Sequence, residues 1–454
     1  MSRAPLPLVA ASVSFALSLF AMVSAHAEAA PSDSLLEGYM RRMTDSTSGY
    51  FGVTAQLPDT TGLDSMLTVG LSEPPGVSRR TRRANRLAPT PAIGFNRVDG
   101  WQLGGELGTG ASRGFGRVNA KLQYTLGQKD FLGGGRYLHR WTDRGRDAAW
   151  SFDLWGGRAT EAFDRDHHEA LLTSVRAIVS GADRQQYLRR DGVRGLLVRE
   201  TASGRLSLAY RDQLESSRPT STTWNLLGRE LALVPNGPAG FGRAREAAIE
   251  GDFQVPKLPL RLQLQHWTAG RATNSGFTYR RTRIALGGDV GLTRHIAVAP
   301  QLEWGRLRGE ALPQEAFYLG GSSSLRSLER NELHGAGKAF GRVDALLMDD
   351  VLQLLRIPHP DMFPLQIGAF LGSGAVWGGE AFSGGPGTRR DFPRADEWLS
   401  EAGVSVLYRP GVPDPEIYLR IDYVMPLGPD SGREAGIAVS FQRTLNLLPV
   451  RRDQ

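Results

Sequence analysis

The residues that could carry chemistry are few and poorly arranged for it. The densest group of potential metal ligands is Asp164-Arg-Asp-His-His-Glu169. Adjacent histidines on a strand point to opposite faces and chelate one ion poorly, and no His-Glu-x-x-His pattern follows. Gly133-Gly-Gly135 lacks the Lys-Ser/Thr of a phosphate-binding loop, and Ser322–Ser324 has no nearby His and acid. We therefore expect no enzyme activity, no catalytic residue, no metal and no cofactor.

One segment in the second half of the chain combines glycines, serines and arginine in a distinctive order. It reads Phe317-Tyr-Leu-Gly-Gly-Ser-Ser-Ser-Leu-Arg-Ser-Leu-Glu-Arg-Asn-Glu-Leu-His-Gly335. A buried guanidinium must be paired, and its planar fork can bridge two acceptors. Arg326 supplies such a group at the centre of this segment.

The elements that must position this segment are strands, because the dominant period of the sequence from Pro91 onward is two. In Val118–Leu126, Leu206–Arg211 and Ile417–Tyr423, apolar residues alternate with polar ones, many of them long and charged. A soluble sandwich would need a second apolar layer to cover the first. Lipid on one face and a wet lumen on the other explain the pattern. The predicted fold is all-β, a transmembrane antiparallel up-and-down β-barrel of about sixteen strands.

Fifteen segments show the strand pattern, at 93–108, 114–126, 133–143, 148–160, 188–200, 204–215, 242–254, 258–271, 277–290, 294–306, 338–348, 363–377, 399–410, 415–427 and 434–445. A single-chain barrel with both termini on one side needs an even number of strands. A sixteenth strand is therefore expected between Ser216 and Gly240, with Thr222–Leu227 as the best candidate.

The connections between these strands differ in length. Long ones are expected at the outer end of the barrel, and they are Thr160–Leu188, Ser216–Gly240, Gly309–Gly335 and Gly378–Glu397. Short hairpins such as Leu126–Gly133 and Pro410–Pro415 are expected at the other end.

The glycine-rich segment and the five strands after it resemble a known family. Phe317, Gly320, Gly321, Leu325 and Arg326 are similar to the inward-folded loop of the bacterial surface-antigen superfamily, the outer-membrane assembly-factor barrels of BamA/TamA type. Ser327 and Leu328 stand where that family has a glycine and an aromatic residue. The resemblance covers most of Pro91–Leu445 and is to a branch that lacks the periplasmic soluble modules.

The resemblance implies a site and a mode of action. In the family the loop folds back into the lumen, and its arginine meets an acidic or polar partner on the barrel wall. The usual acid lies in a Phe-x-Asp-x-Gly segment, whereas Phe370-Leu-Gly-Ser-Gly374 has no acid there. The partner of Arg326 is thus open among Asp344, Asp422 and backbone carbonyls, with Phe370 and Gly374 as further wall residues. The resemblance also implies that other proteins are inserted or translocated at a weak seam between the first and last strands.

The two ends and the composition complete the domain organisation. A basic start, the apolar run Leu6–Val23 and Ser24-Ala-His-Ala27 predict a signal peptide over residues 1–27. Residues 28–90 are expected to form a short periplasmic lead and linker, 91–446 the barrel, and 447–454 a tail. The chain has no cysteine, which excludes disulfides and thiolate metal sites. The net charge of +7 is spread over interleaved acids and bases, so nucleic acid is not an expected partner.

We therefore expect a monomeric protein of the bacterial outer membrane that takes part in protein or lipid insertion or export there. Outer-membrane lipids surround it, and client proteins or a periplasmic protein are its candidate partners. The alternative is a passive diffusion channel that favours anions, because the lumen faces are rich in arginine. A third alternative is a structural or adhesive barrel whose long loops bind outside partners.

Overall fold

The fold is taken from a computed structural model. It describes residues 88–109, 116–142, 148–164, 177–178, 183, 185–226, 236–359, 364–383, 390–408, 418–428 and 433–442. The predicted signal peptide, most of the predicted lead and linker, and the predicted tail lie outside these residues. The first strand begins at Ala88, ahead of the predicted start of the barrel at Pro91.

Nineteen strands follow one another in the described parts of the chain. They are β1 Ala88–Asn96, β2 Gly100–Gly108, β3 Arg117–Thr125, β4 Asp130–Thr142, β5 Ala148–Ala162, β6 Tyr187–Thr201, β7 Gly204–Ser217, β8 Gly242–Gln254, β9 Leu260–Ala269, β10 Tyr279–Gly288, β11 Val290–Gly291, β12 Ile296–Gly309, β13 Phe317–Leu319, β14 Leu333–Gly335, β15 Gly337–Leu347, β16 Leu365–Trp377, β17 Leu399–Tyr408, β18 Tyr418–Leu427 and β19 Gly436–Gln442. One helical turn, α1 Val351–Leu354, lies between β15 and β16. Among the described residues, no helix is long and apolar enough to cross a lipid bilayer.

Seventeen of these strands form one antiparallel sheet, and β13 and β14 form a separate pair. Since β11 continues β10 in the same register against β12, the sheet contains sixteen full-length strands. Each pairs with its neighbours in the sequence, from β1 with β2 to β18 with β19. Among the described residues, no ladder joins β19 to β1.

The two faces of the sheet reverse the usual distribution of side chains in a water-soluble protein. On β7, Leu206, Leu208 and Tyr210 are exposed, whereas Arg211 and Glu215 are buried. The same alternation continues around the sheet, because successive residues of a strand point to opposite faces. An apolar outer surface and a charged interior are the features of a barrel that faces lipid. The predicted fold, a transmembrane antiparallel barrel of sixteen strands, is confirmed.

Two predicted strands were wrong, although the total was right. The predicted strand 93–108 is two strands, because Asn96 turns the chain between them: its Oδ1 accepts the backbone N–H groups of Val98 (2.9 Å) and Asp99 (2.7 Å). Asparagine side chains stabilise turns in this way. The candidate strand Thr222–Leu227 is not a strand in its described part, since the Thr222 N–H donates to the carbonyl of Arg97 in that turn.

All four long connections lie at one end of the sheet, called here the loop end; the opposite end is called the turn end. They join β5 to β6, β7 to β8, β12 to β15 and β16 to β17, and alternating strand directions place these links together. The short hairpin Leu126–Gly133 joins β3 to β4 at the loop end as well, whereas Pro410–Pro415 joins β17 to β18 at the turn end. The prediction that these two hairpins share an end was therefore wrong, because length alone does not assign a connection to an end.

Candidate functional site

The segment Phe317–Gly335, called here the inner loop, lies inside the sheet. Its ends form a hairpin in which Phe317 is opposite Gly335 and Leu319 is opposite Leu333. Phe317, Leu319 and Leu325 are completely buried. Burying apolar side chains is the main driving force for holding a segment in place, and the inner loop therefore packs as part of the interior.

Glycines on the wall make room for the apolar side chains of the inner loop. A Cβ atom on Gly305 of β12 would lie 2.3 Å from the ring of Phe317, which is far closer than carbon atoms approach. A Cβ atom on Gly374 of β16 would lie 3.1 Å from Leu319. Gly374 therefore lies beside the inner loop, and its lack of a side chain leaves space for Leu319.

Gly320 and Gly321 bend the chain toward Arg326. Their φ angles are 124° and 93°, a region that glycine adopts readily and other residues rarely do. The N–H of Gly321 donates to the carbonyls of Leu325 (3.0 Å) and Leu328 (3.1 Å). The N–H of Gly320 donates to Oγ of Ser324 (2.8 Å). This compact turn presents the Arg326 side chain to the wall.

The side chain of Arg326 is completely buried and contacts three strands of the wall. Its Nη2 lies 2.9 Å from Oδ1 of Asp344 on β15, and its Nη1 lies 3.5 Å from Oδ1 of Asp422 on β18. Its guanidinium carbon lies 4.2 Å from the ring centre of Phe370 on β16, within the range of a cation–π contact. Of the partners left open by the sequence, the structure brings both carboxylates to Arg326.

Glu401 on β17 holds the backbone of the inner loop. Its Oε1 accepts the N–H of Arg326 (2.9 Å), and its Oε2 accepts the N–H of Ser327 (2.7 Å). Glu401 lies directly opposite Gly372, the position where the resembled family has its acid. The carboxylate is thus supplied by the neighbouring strand. Sequence reasoning missed this residue, and the inward position of Glu401 in the β17 alternation was the signal that could have found it.

Two wall arginines complete the charge balance around Arg326. Arg342 Nε lies 2.9 Å from Asp344, and Arg420 Nε lies 2.7 Å from Asp422. Arg342 Nη1 also donates to the carbonyls of Ser322 (3.0 Å) and Ser324 (2.7 Å) in the inner loop. Three arginines, including Arg326, thus face three carboxylates, including Glu401. Buried charges are tolerated when they are paired and hydrogen-bonded in this manner.

The two other predicted residues of the inner loop are Leu328 and Ser327. Leu328 is buried with Leu319 and Leu325 against Phe340. The carbonyl of Ser327 accepts a long hydrogen bond, 3.4 Å, from Arg433 shortly before β19. The inner loop therefore also touches the approach to the last strand.

A second buried cluster fixes the start of the inner loop. Carboxylate oxygens of Glu215, Glu246 and Glu315 lie within 4.8 Å of one another, the one such group of acids within the described part of the chain. Glu215 already accepts hydrogen bonds from Arg190 (2.7 Å) and Gln314 (2.8 Å), and Glu246 accepts one from a tyrosine. These bonds join the wall to the connection that leads into the inner loop. Of the group Asp164–Glu169, only Asp164 is described.

A Gly-x-Ser-x-Gly pattern, Gly110-Ala-Ser-Arg-Gly114, falls between β2 and β3, outside the described residues. In hydrolases this pattern forms a turn from a strand into a helix. The described elements on either side of it are the strands β2 and β3.

At the loop end, Arg97 and Asp183 form a buried contact between the β1–β2 turn and the connection before β6. Arg97 Nη2 donates to the carbonyl of Gln185 (2.6 Å), and the Tyr187 hydroxyl donates to Asp183 Oδ2 (3.0 Å). Burial raises the pKa of the Asp183 carboxyl, and the nearby positive charge of Arg97 only partly offsets this. Burial also lowers the pKa of Arg97. Both charged forms are thus disfavoured at this contact.

Comparisons with known proteins bear on the fold. No family model and no curated protein matches the chain. Among solved structures, BamA from Haemophilus ducreyi lacking POTRA domains 1–3 is similar at 10% identity, over 78% of this chain and 70% of that one, with a TM-score of 0.44. CdiB from Acinetobacter baumannii has 10% identity, 78% and 58% coverage and a TM-score of 0.37.

The outer membrane protein OprD from Pseudomonas aeruginosa is also similar, with 11% identity, 78% coverage of this chain, 87% of that one and a TM-score of 0.34. The chain spans less than two thirds of the CdiB chain. All three TM-scores lie below 0.5, so the class of the protein is taken from its own geometry. That class is a membrane-facing β-barrel with an occupied lumen.

Proposed function

We propose that the chain is an outer-membrane barrel that inserts or exports proteins or lipids at a seam between β1 and β19, with its lumen closed by the inner loop. The observation that carries the proposal is the anchoring of Arg326 to Asp344 and Asp422, together with the two backbone bonds to Glu401. A segment held by charged bonds to three strands is costly to displace. A freely diffusing solute would meet it inside the lumen.

The edge of β1 supports the second half of the proposal. Pro89 and Pro91 of β1 have no backbone N–H. Both prolines are paired in register with β2 and cannot donate to it. Their nitrogens therefore lie on the side of β1 that faces away from β2, where a neighbouring strand would need N–H donors. A ladder formed by this edge of β1 would lack two hydrogen-bond donors, so we expect it to be weak and to separate easily.

The charge of the interior favours this function over the anion channel. Several arginines that face the lumen lie next to carboxylates, as in Arg190 with Glu215 (2.7 Å) and Arg283 with Glu303 (3.0 Å). A matched carboxylate cancels most of the field that an arginine would offer to a passing anion. Anion selectivity would instead need an excess of exposed positive charge along the lumen.

Single-channel conductance of the refolded protein in a planar bilayer tests the occupied lumen. Tyr318 and His334 are opposite each other in the hairpin, so Leu319–Leu333 can be replaced by a two-residue glycine turn. Small flickering currents that become large and steady after this replacement support the proposal. Large, steady, anion-selective currents in the intact protein would contradict it and establish the channel. Ser323→Ala, a small change within the same loop, is the matched control.

Cysteine cross-linking tests the seam, and the chain contains no native cysteine to interfere. Ile93→Cys is combined in turn with Ile437→Cys and Val439→Cys, because all three side chains are exposed on the outer face. We expect one pair to cross-link and to block the folding of an unfolded outer-membrane barrel into liposomes that contain the protein, reversibly on reduction. Cysteines at Leu286 and Leu302, opposite each other on β10 and β12, give a cross-link that should not block it. Equal activity with the seam locked would exclude the seam as the working surface.

A further inference from the structure

Arginines project from the lipid-facing surface of the barrel at the loop end. Arg280 near the start of β10 and Arg308 near the end of β12 are exposed and directly opposite each other. Arg306 points to the same face two residues before Arg308, but it is covered by the β16–β17 connection. We call these three residues the outer arginine patch. None of them belongs to the inner loop or the seam.

Arg280 and Arg308, the exposed pair of the patch, bring two positive charges together with one ion-paired carboxylate among the described residues. Like charges directly opposite each other on two strands repel. Asp391 is shared, at 2.6 Å from Arg308 and 3.5 Å from Arg306. Arg280 forms no ion pair with any described residue. An anion between Arg280 and Arg308 would relieve the repulsion.

The surface beside the patch on β8 and β9 adds further arginines. Arg243 and Arg245 share one carboxylate, that of Asp212, and Arg271 is exposed in the turn after β9. Together with the patch, these are six arginines. Three carboxylates lie among them: Asp212 is paired with Arg243, Asp391 with Arg308, and Glu310 accepts the N–H of Thr278.

An apolar surface begins directly next to the patch. Ile284 and Leu302, a few residues nearer the middle of their strands, are exposed on the same face. Trp304 is directly opposite Ile284 and two residues before Arg306. Its Nε1 donates to the carbonyl of Asp391 (3.2 Å), and its ring centre is 6.4 Å from that of Phe392. Aromatic residues at the edge of an apolar band mark the interface between lipid tails and head groups. The patch therefore lies at head-group depth.

We propose that the outer arginine patch binds the phosphorylated head group of a lipid in the membrane leaflet at the loop end. The guanidinium fork matches phosphate oxygens with two parallel hydrogen bonds. A lipid brings its phosphate to this depth and covers Ile284 and Leu302 with its acyl chains. A soluble phosphate would gain only the ionic contact. The inference rests on the proposed placement of the barrel in a membrane, but not on the seam or on the inner loop.

The test measures lipid that stays bound to the purified protein. The protein is refolded in neutral phosphatidylcholine nanodiscs containing lipid A, and bound lipid A is counted by native mass spectrometry after transfer to neutral detergent. The variant Arg280→Gln/Arg308→Gln should retain lipid A at least about tenfold less well, because two charge-assisted contacts are lost. Arg199→Gln is the control, since Arg199 is an exposed arginine beside Trp150 near the turn end.

Three results would overturn the proposal. One is equal retention by the wild type and the double variant, and another is an equal loss in Arg199→Gln. The third is displacement of lipid A by millimolar inorganic phosphate alone, which would mean that the patch binds phosphate without regard to the lipid. Unchanged conductance and heat-modifiable gel migration in the double variant establish that its barrel is intact. A failure of lipid binding would then leave the proposed function standing.

Discussion

Replacing Arg326 by alanine should release the inner loop while leaving the wall of the barrel folded. The change removes the bonds to Asp344 and Asp422 and the contact with Phe370. Asp344 keeps its bonds to Arg342 and Arg420, so no wall carboxylate loses its last basic partner. The cost therefore falls mainly on the docking of the loop.

The size of the effect follows from the burial of the ion pairs. Removing one partner of a buried ion pair costs about 3–5 kcal/mol, because the remaining charge is left without full compensation. At about 1.4 kcal/mol per factor of ten, the ratio of docked to undocked loop should fall by about 10² to 10⁴. The two backbone bonds to Glu401 do not involve the Arg326 side chain and should keep part of the docking.

An undocked inner loop should raise the mean conductance in single-channel recordings. In cells it should raise the sensitivity to a large antibiotic. The mean conductance of Arg326→Lys should lie between those of the wild type and Arg326→Ala, because lysine keeps the charge but lacks the planar guanidinium that reaches both acids. Unchanged permeability together with unchanged heat-modifiable gel migration in Arg326→Ala would refute the anchoring role of Arg326.

Three further predictions concern single positions. Glu401→Gln removes the negative charge that holds two backbone N–H groups but keeps one amide oxygen. We expect it to weaken the docking of the inner loop by about 1–2 kcal/mol, and therefore to raise the conductance less than Arg326→Ala does. Gly305→Ala should displace the ring of Phe317 and lower the temperature of the heat-modifiable transition, whereas Gly291→Ala, which meets no atom within 4 Å, should leave it unchanged. Burial raises the pKa of Asp183, so the folded state holds this proton more tightly and the contribution of Asp183 to stability is lost as pH rises through that raised pKa. The transition temperature should therefore gain more on acidification in the wild type than in Asp183→Asn, and an equal gain would show that Asp183 does not titrate as described.

The sequence predicted the strands well because alternation is a local property. Segments such as Leu206–Arg211 show one apolar and one polar face within six residues, and the structure exposes the first and buries much of the second. The failure at 93–108 had a local signal too, since Asn96-Arg-Val-Asp-Gly100 contains three residue types that favour turns. The period of two continued through the turn and concealed it. The predicted strand at Thr222–Leu227 came from counting to an even number and had no pattern of its own.

The site was only partly predictable because its contacts depend on the register between strands. Asp344 and Asp422 could be named, since both are acids at positions that alternation directs inward. Glu401 meets the backbone of the inner loop because β17 places it opposite Gly372, and no local pattern encodes that pairing. The opposition of Arg280 and Arg308 has the same origin. Alternation assigns a residue to a face, whereas register decides which residues meet there.

The contacts of the inner loop are unevenly distributed around the seam. Asp422 and Glu401 belong to β18 and β17, and Arg433, which bonds to Ser327 and Glu332, immediately precedes the last hairpin strand. The inner loop thus braces the strands that lead to β19. On the β1 side, the buried side chain of Arg97 donates to the carbonyl of Gln185, and the Arg97 carbonyl accepts the N–H groups of Ser221 and Thr222. Because buried charged bonds resist separation, we expect β17 and β18 to keep their places when the seam opens.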